Sequence, residues 1–284
     1  MNRISAYARL MRLDRPIGTL LLLWPTAWAL WLASHGHPSL ANVLVFGLGT
    51  LLMRSAGCVM NDLADRKVDP HVERTRLRPL ATGEVNIREA LLLAAGTSFL
   101  AFLLVLTRNG LTLLLSLPAL FLAASYPLTK RFFPLPQAYL GIAFGFGIPM
   151  AYAAETGHVP QTAGMLMLAN LFWTIAYDTE YAMVDREDDR LLGIHSSALL
   201  FGQWDVTAVM ACYGIALLLL YQVGQSAQLG LAYNLGLSAA MVVAGYHYLL
   251  IRTRERDHCF RAFLHNNWFG GAVFAGLAVD YWWG

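Results

Sequence analysis

The feature that most constrains this chain is the recurrence of apolar runs close to 20 residues long, separated by short stretches that carry nearly all of the charge. A helix needs roughly 20 apolar residues to cross the hydrocarbon core of a bilayer. A soluble domain has no use for so many stretches of that length. Only 13% of the 284 residues are charged and the mean hydropathy is +0.49, where soluble domains hold about 25% charged residues. We therefore expect an all-α, polytopic membrane protein forming one domain over residues 1–284, with nine transmembrane helices and a short amphipathic N-terminal helix. The candidate spans are 17–34, 41–60, 89–107, 110–126, 137–154, 163–182, 206–223, 229–250 and 262–282. The first span exceeds a signal-peptide core and contains Trp24, Pro25, Trp28 and Trp31, so it reads as a retained anchor.

The basic residues test the count. Nine spans put the N-terminus and every second loop on one side. That side carries Arg3, Arg9, Arg12 and Arg15; Arg66, Lys67, Arg74, Arg76, Arg78 and Arg88; Lys130 and Arg131; Arg186 and Arg190; and Arg252, Arg254, Arg256 and Arg261. These are 18 of the 20 Lys and Arg, leaving Arg108 opposite and Arg54 inside a span. Positive charge gathers on the cytoplasmic side, so the N-terminus and these loops are expected in the cytoplasm, in a bacterial inner membrane. Tyr281, Trp282 and Trp283 would mark the far interface. The net charge of +2 gives no reason to expect nucleic acid as a partner. Cys58, Cys212 and Cys259 form no paired motif and read as small buried residues.

Two acidic clusters end apolar runs on the basic side. The first is Asn61, Asp62, Asp65 and Asp69; the second is Asp178, Asp185, Asp188 and Asp189. If the second helix continues past Met60, residues three and four apart share a face, and the carboxylates repel unless a cation binds between them. Oxygen-only ligands suit a hard divalent ion such as magnesium, which binds through carboxylates and substrate phosphates. The adjacent cations suit a polyanion, and a diphosphate held by metal and base together fits both. An apolar bundle beneath such a head would take a lipid tail. Tyr126 and Tyr181 are candidate aromatic faces for the carbocation left when diphosphate departs, or else interfacial anchors. Pro118, Pro149 and the glycines 141, 145 and 147 break helical regularity where a cavity can satisfy the freed backbone. The two clusters are also a faint internal echo, suggesting a duplication of roughly 17–136 and 137–284. An ion-coupled transporter is the rival class, although its acids would sit nearer the bilayer midplane.

The run from Asn61 to Asp69 resembles the NDxxDxxxD signature of the UbiA-type intramembrane prenyltransferases. The run from Tyr177 to Asp189 is similar to the second Asp-rich motif of those acting on 4-hydroxybenzoate, and the stretches 13–19, 78–83 and 126–131 extend the likeness. The resemblance implies nine helices around a cavity open to lipid. It also implies magnesium-dependent transfer of a polyprenyl group to the carbon ortho to the hydroxyl of 4-hydroxybenzoate, in ubiquinone biosynthesis. Other acceptors in the family are homogentisate, naphthoates and haem. By matched position, Asn61, Asp62, Asp65, Asp69, Asp185 and Asp189 would hold magnesium and diphosphate. Lys67, Lys130 and Arg131 would contact phosphate or acceptor. Arg15 or Arg54 would pair with the benzoate carboxylate; the alternatives are membrane-surface binding for Arg15 and an ion pair with an aspartate for Arg54, the stronger reading there. His195 stands where the family often has lysine, and reads as a titratable phosphate contact or an ordinary loop histidine. His258, Cys259 and His265 have no metal spacing.

Overall fold

In a computed structural model describing residues 3–283, every regular element among the described residues is helical. Met1 and Asn2 of the expected N-terminal helix lie outside the described residues. Helix α1 (Arg3–Leu10) is followed by α2 (Ile17–Ala33), α3 (Leu40–Asp65), α4 (Ile87–Val105) and α5 (Gly110–Thr129). Then come α6 (Pro136–Gly145) and α7 (Gly147–Thr156), α8 (Gln161–Val184), α9 (Arg186–Leu192), α10 (Ser197–Phe201), α11 (Asp205–Ser226), α12 (Leu231–Ile251) and α13 (Arg256–Trp283).

Their boundaries follow from local chemistry. Ser39 Oγ accepts from Asn42 N at 3.1 Å to start α3, and Asn109 Oδ1 accepts from Thr112 N at 2.9 Å to start α5. Asn86 and Glu89 form a reciprocal capping box on α4. Gly157, at φ +75°, ends α7 in the left-handed conformation that costs glycine least.

Five helical segments are long and apolar enough to cross a membrane by length and composition. Each of the other candidate spans is also helical, so nine crossings are compatible with the fold; the fifth is broken into α6 and α7 at Phe146. The chain is an integral membrane protein. Leu92 on α4 and Leu114, Leu117 and Phe121 on α5 are all exposed. That is the expected disposition where hydrocarbon rather than water is the solvent.

The main core lies among α2, α7, α8, α11, α12 and α13, around Trp28, Trp173, Tyr213 and Phe269. With no hydrophobic drive between helices in lipid, close packing has to supply the attraction. At Gly236 and Gly276 the backbones of α12 and α13 touch, and a Cβ built on either would lie 2.8 Å from the other's Cα. A second cluster, of Ala6, Leu10, Val59, Leu63 and Ala90 among others, seats α1 on α3 and α4. Inside the main core Trp173 Nε1 donates to Asn266 Oδ1 at 2.9 Å, Tyr213 Oη donates to Glu180 at 3.0 Å, and Asn266 donates to Glu180 at 2.8 Å. His247 joins through Tyr213 at 2.9 Å and passes the chain to His265 at 3.1 Å.

The five basic groups converge at one end of the bundle. Arg12 reaches Asp62, Arg74 reaches Asp185, Lys130 reaches Asp65, and Arg256 reaches both Glu73 and Asp188. Contacts at the opposite end join Arg108 to Asn42 and Gly230 to Asp280. This alternation is the one the charge distribution demanded.

Candidate active site

Helix α3 does continue past Met60, but only to Asp65. Asp69 therefore does not share a helical face with Asp65: the chain turns, and Asp69 opens a separate short 3-10 turn. The turn returns it to the cluster by another route. Arg78 Nη1 bridges Asp62 at 2.9 Å and both oxygens of Asp69 at 2.9 and 3.0 Å. Asp62 also accepts from Arg12 at 3.0 and 3.2 Å. Lys130, just past α5, pairs with one oxygen of Asp65; the other, Oδ1, is buried without a hydrogen-bond partner.

The second cluster follows the same pattern. Asp185 sits at the corner between α8 and α9 and takes a forked pair from Arg74, whose Nε lies 3.0 and 3.1 Å from its two oxygens. Arg74 belongs to the segment after α3, so it ties the two acidic clusters together. Burial, then the negative charge of Asp185, pushes the Asp189 carboxyl up to about 7. Burial raises Asp69 too, with Arg78 opposing.

Beneath these groups opens a cavity of about 1030 Å³. Arg12, Arg15, Arg54, Arg74 and Arg78 line its polar end with Asn61, Asp62 and Asp178. Its body is apolar, walled by Leu21, Phe46, Met53, Ala123, Phe144 and Met150 among others. Tyr126, Tyr177, Tyr181 and Phe263 stand on the wall. The Arg74 guanidinium lies 4.5 Å above the Tyr181 ring, which stacks on Phe263 at 4.4 Å. One face of Tyr181 is thus already occupied by a cation.

Of the residues singled out from sequence, Arg15, Arg54, Asn61, Asp62, Tyr126, Asp178 and Tyr181 reach the cavity. Asp65, Asp69, Asp185, Asp189 and Lys130 do not line it; Asp69 and Asp185 meet it through Arg78 and Arg74, which do. Lys67 is exposed and does not line it. Arg131 is exposed as well, and donates to the carbonyl of Ala64, capping the end of α3. His195 is an exposed loop residue held through its backbone to Lys130 O at 3.0 Å. Cys259 is buried, as are Cys58 and Cys212.

Arg54 corrects an expectation. Among the described residues it forms no ion pair; Asp62, farther along the same helix, is already taken by Arg12 and Arg78. Its guanidinium lies flush against Gly18 of α2, where any Cβ would collide with it. The sequence singles out neither Arg12 nor Tyr177 as a site residue, marks Arg74 and Arg78 only as two among many cations suited to a polyanion, and marks Asp178 only as a member of the second acidic cluster. Arg12 and Arg78 looked like loop cations, and nothing in their spacing tells which carboxylate they reach. Arg12 gets there by a left-handed backbone at φ 57° that turns its side chain back from α1.

Among the described residues no three His, Cys, Asp or Glu side chains converge in a metal-binding arrangement. Each α3 carboxylate is held by an arginine or lysine of the chain. The donor set nevertheless fits a hard divalent cation: it is all oxygen, it includes the partnerless Asp65 Oδ1, and Asp185 and Asp189 stand close enough for their charges to conflict.

The model of the UbiA prenyltransferase family matches residues 22–275. A protein of Azoarcus sp. (strain BH72) described as 4-hydroxybenzoate octaprenyltransferase is 64% identical over 99% of this chain and 98% of its own. One of the same description from Methylobacillus flagellatus is 64% identical over 99% and 95%. Among solved structures, the apo form of a UbiA homologue from Aeropyrum pernix K1 aligns with a TM-score of 0.81 at 27% identity, covering 92% of this chain and 97% of that one. A UbiA homologue from Archaeoglobus fulgidus bound to GPP and Mg2+ aligns with a TM-score of 0.74 at 19% identity over 96% and 99%, a likeness of fold.

Proposed function

The chain belongs to the UbiA prenyltransferase family, and we propose that it transfers a polyprenyl group from a polyprenyl diphosphate to the carbon ortho to the hydroxyl of 4-hydroxybenzoate, a step of ubiquinone biosynthesis. The observation that carries this reading is the cavity itself: an apolar body of lipid dimensions under a head of arginines and carboxylates, with one arginine unpaired. The relatives at 64% identity bear the name of that activity with an octaprenyl donor.

In this reading the prenyl tail lies in the apolar body and the diphosphate in the head, where Arg12, Arg74 and Arg78 offer charge-assisted hydrogen bonds to its oxygens. Asn61, Asp62, Asp65, Asp69, Asp185 and Asp189 are the residues that would hold magnesium. When bound, magnesium neutralises charge on the departing diphosphate. Lys130 adds positive charge beside Asp65. The bond between the allylic carbon and oxygen breaks with its electron pair leaving on diphosphate. Tyr126 and Tyr177 present ring edges and faces to the resulting cation, each face worth about 0.5–2 kcal/mol. Arg54 binds the acceptor carboxylate and so orients the ring; the new carbon–carbon bond forms ortho to the hydroxyl, and loss of the proton there restores the aromatic ring. Arg15, exposed at the mouth, guides the anionic substrates in. The positive-inside rule places this head, with the N-terminus, on the cytoplasmic face of the inner membrane.

Membranes containing the protein, given magnesium, 4-hydroxybenzoate and a polyprenyl diphosphate, are expected to form a prenylated benzoate. Asp65→Ala and Asp185→Ala should each abolish it. Unchanged rates in both variants would overturn the metal assignment, and absence of product with every donor would overturn the acceptor.

A further inference from the structure

A second pocket, of about 370 Å³, lies at the same end of the bundle and shares no lining residue with the cavity. Its walls are Arg186 and Arg190, one turn apart on α9, with Arg254, Ala198, Leu199, Gly202 and Gln203. Asp205, completely buried at the start of α11, anchors two of its arginines. It pairs with Arg186 and accepts from Arg254 at 2.8 Å and 3.1 Å. Arg254 also donates to Gln203 O at 2.9 Å, and Arg186 to Ala198 O at 3.2 Å. The framework is therefore fixed, yet Arg186 Nε is buried with no partner. Among the described residues Arg190 meets only Glu187 at 3.4 Å, with both side chains more than 60% exposed, a contact too weak to hold it.

One buried carboxylate thus serves two of the pocket's three guanidinium groups, and the lining carries an excess of positive charge. The proposed prenyl-transfer reaction uses none of Arg186, Arg190 and Arg254. The chain neighbours of its lining residues are apolar and open: Leu191, Leu200 and Trp204 are exposed at 84%, 52% and 65%. An exposed tryptophan beside leucines and arginines, at the end of a membrane bundle, is the composition of a headgroup-level surface.

We propose that this pocket binds the phosphodiester of an anionic phospholipid, with Arg190 and the free Arg186 Nε on the phosphate and Leu200 and Trp204 against the acyl chains. A phosphodiester carries one negative charge and several acceptor oxygens, the complement of two underused guanidinium groups.

The test measures thermal unfolding of the purified protein in a neutral detergent, titrated with phosphatidylglycerol, phosphatidylcholine or inorganic phosphate. Phosphatidylglycerol should raise the unfolding temperature at lower concentration than phosphatidylcholine. Arg190→Gln, which leaves the Asp205 pairs intact, should shift the half-effective phosphatidylglycerol concentration upward by roughly fivefold, and Arg190→Lys should recover part of the loss. Arg252→Gln, at an exposed arginine outside the pocket, should not shift it. Equal effects of the two lipids, an unshifted Arg190→Gln, or an Arg252→Gln shifted as far as Arg190→Gln would overturn the proposal. Stabilisation by inorganic phosphate as strong as by phosphatidylglycerol would replace the lipid by a free anion.

Discussion

Replacing Arg54 by alanine isolates one interaction. Most cations around the site are committed to carboxylates, so removing one of them strands a buried negative charge: Arg78→Ala would leave Asp62 and Asp69, both under 5% exposed, without a shared partner. Arg54 has no such obligation, and its loss leaves no ion-pair partner behind. Its desolvation is already part of the cost of folding, so a carboxylate that pairs with it gains a charge-assisted bond worth roughly 1.5–3 kcal/mol. That corresponds to about a ten- to hundredfold rise in KM for 4-hydroxybenzoate in Arg54→Ala, with the unfolding temperature nearly unchanged. Arg54→Lys should recover only part, because an ammonium group lacks the fork that matches a carboxylate. The assay is prenyl transfer at saturating polyprenyl diphosphate, with 4-hydroxybenzoate and a neutral phenol of similar shape as alternative acceptors. Wild type should prefer the benzoate by this same factor and Arg54→Ala should not discriminate. If Arg54→Ala instead raises KM for the prenyl diphosphate and leaves that for the acceptor alone, Arg54 belongs to the diphosphate site and the reasoning fails.

Three further outcomes follow from the same geometry. Gly18→Ala should reproduce much of the Arg54→Ala phenotype, since its methyl group would occupy the place of the guanidinium; an unchanged acceptor KM would show that Arg54 relaxes without consequence. The Asp189 carboxyl, raised to about 7, keeps its proton in the folded chain between about pH 4 and 7, where an unfolded chain has lost it, so ionising it costs stability as pH rises through that window. The magnesium concentration for half-maximal activity should accordingly fall as pH rises towards 7 and level off above; a profile flat from pH 5.5 to 7.5, or one unaltered in Asp189→Asn, would refute the assignment. Asn266→Leu strands Trp173 Nε1 and one oxygen of Glu180 in a lipid-embedded core, while Tyr213 keeps Glu180 and His247; at about 1–3 kcal/mol for each orphaned group it should cost at least about 2 kcal/mol in detergent unfolding experiments, a loss that near-wild-type stability would contradict.

Much of this is legible in the sequence. The spans follow from hydropathy, though the caps at Ser39, Asn86 and Asn109 emerge only in the structure, and the alternation of basic loops indicated which ends meet. The acidic motifs announced themselves because carboxylates at an apolar run's end need a reason. Pairing was not legible, since it depends on where loops return: Asp69 escapes the helix that its spacing predicted, and Arg78, sixteen residues along the chain from Asp62, comes back to bridge both. The unpaired state of Arg54 was hidden for the same reason, because its natural partner had been claimed by Arg12 from the far end of the first loop. Glu180 and Asn266 were invisible as a pair, being 86 residues apart with no motif between them.

The arginines at the head of the cavity have a kinetic consequence. The charge that draws a lipid diphosphate in does not vanish when its carbon–oxygen bond breaks: the inorganic product keeps the phosphate oxygens those guanidinium groups hold and loses only the hydrophobic tail. In the proposed reaction, turnover would then depend on how quickly Arg12, Arg74 and Arg78 return to Asp62, Asp185 and Asp69, with which they pair at rest. On that proposal the aspartates compete with the product for the guanidinium groups, and the resting ion pairs would be the end of each catalytic cycle as much as its beginning.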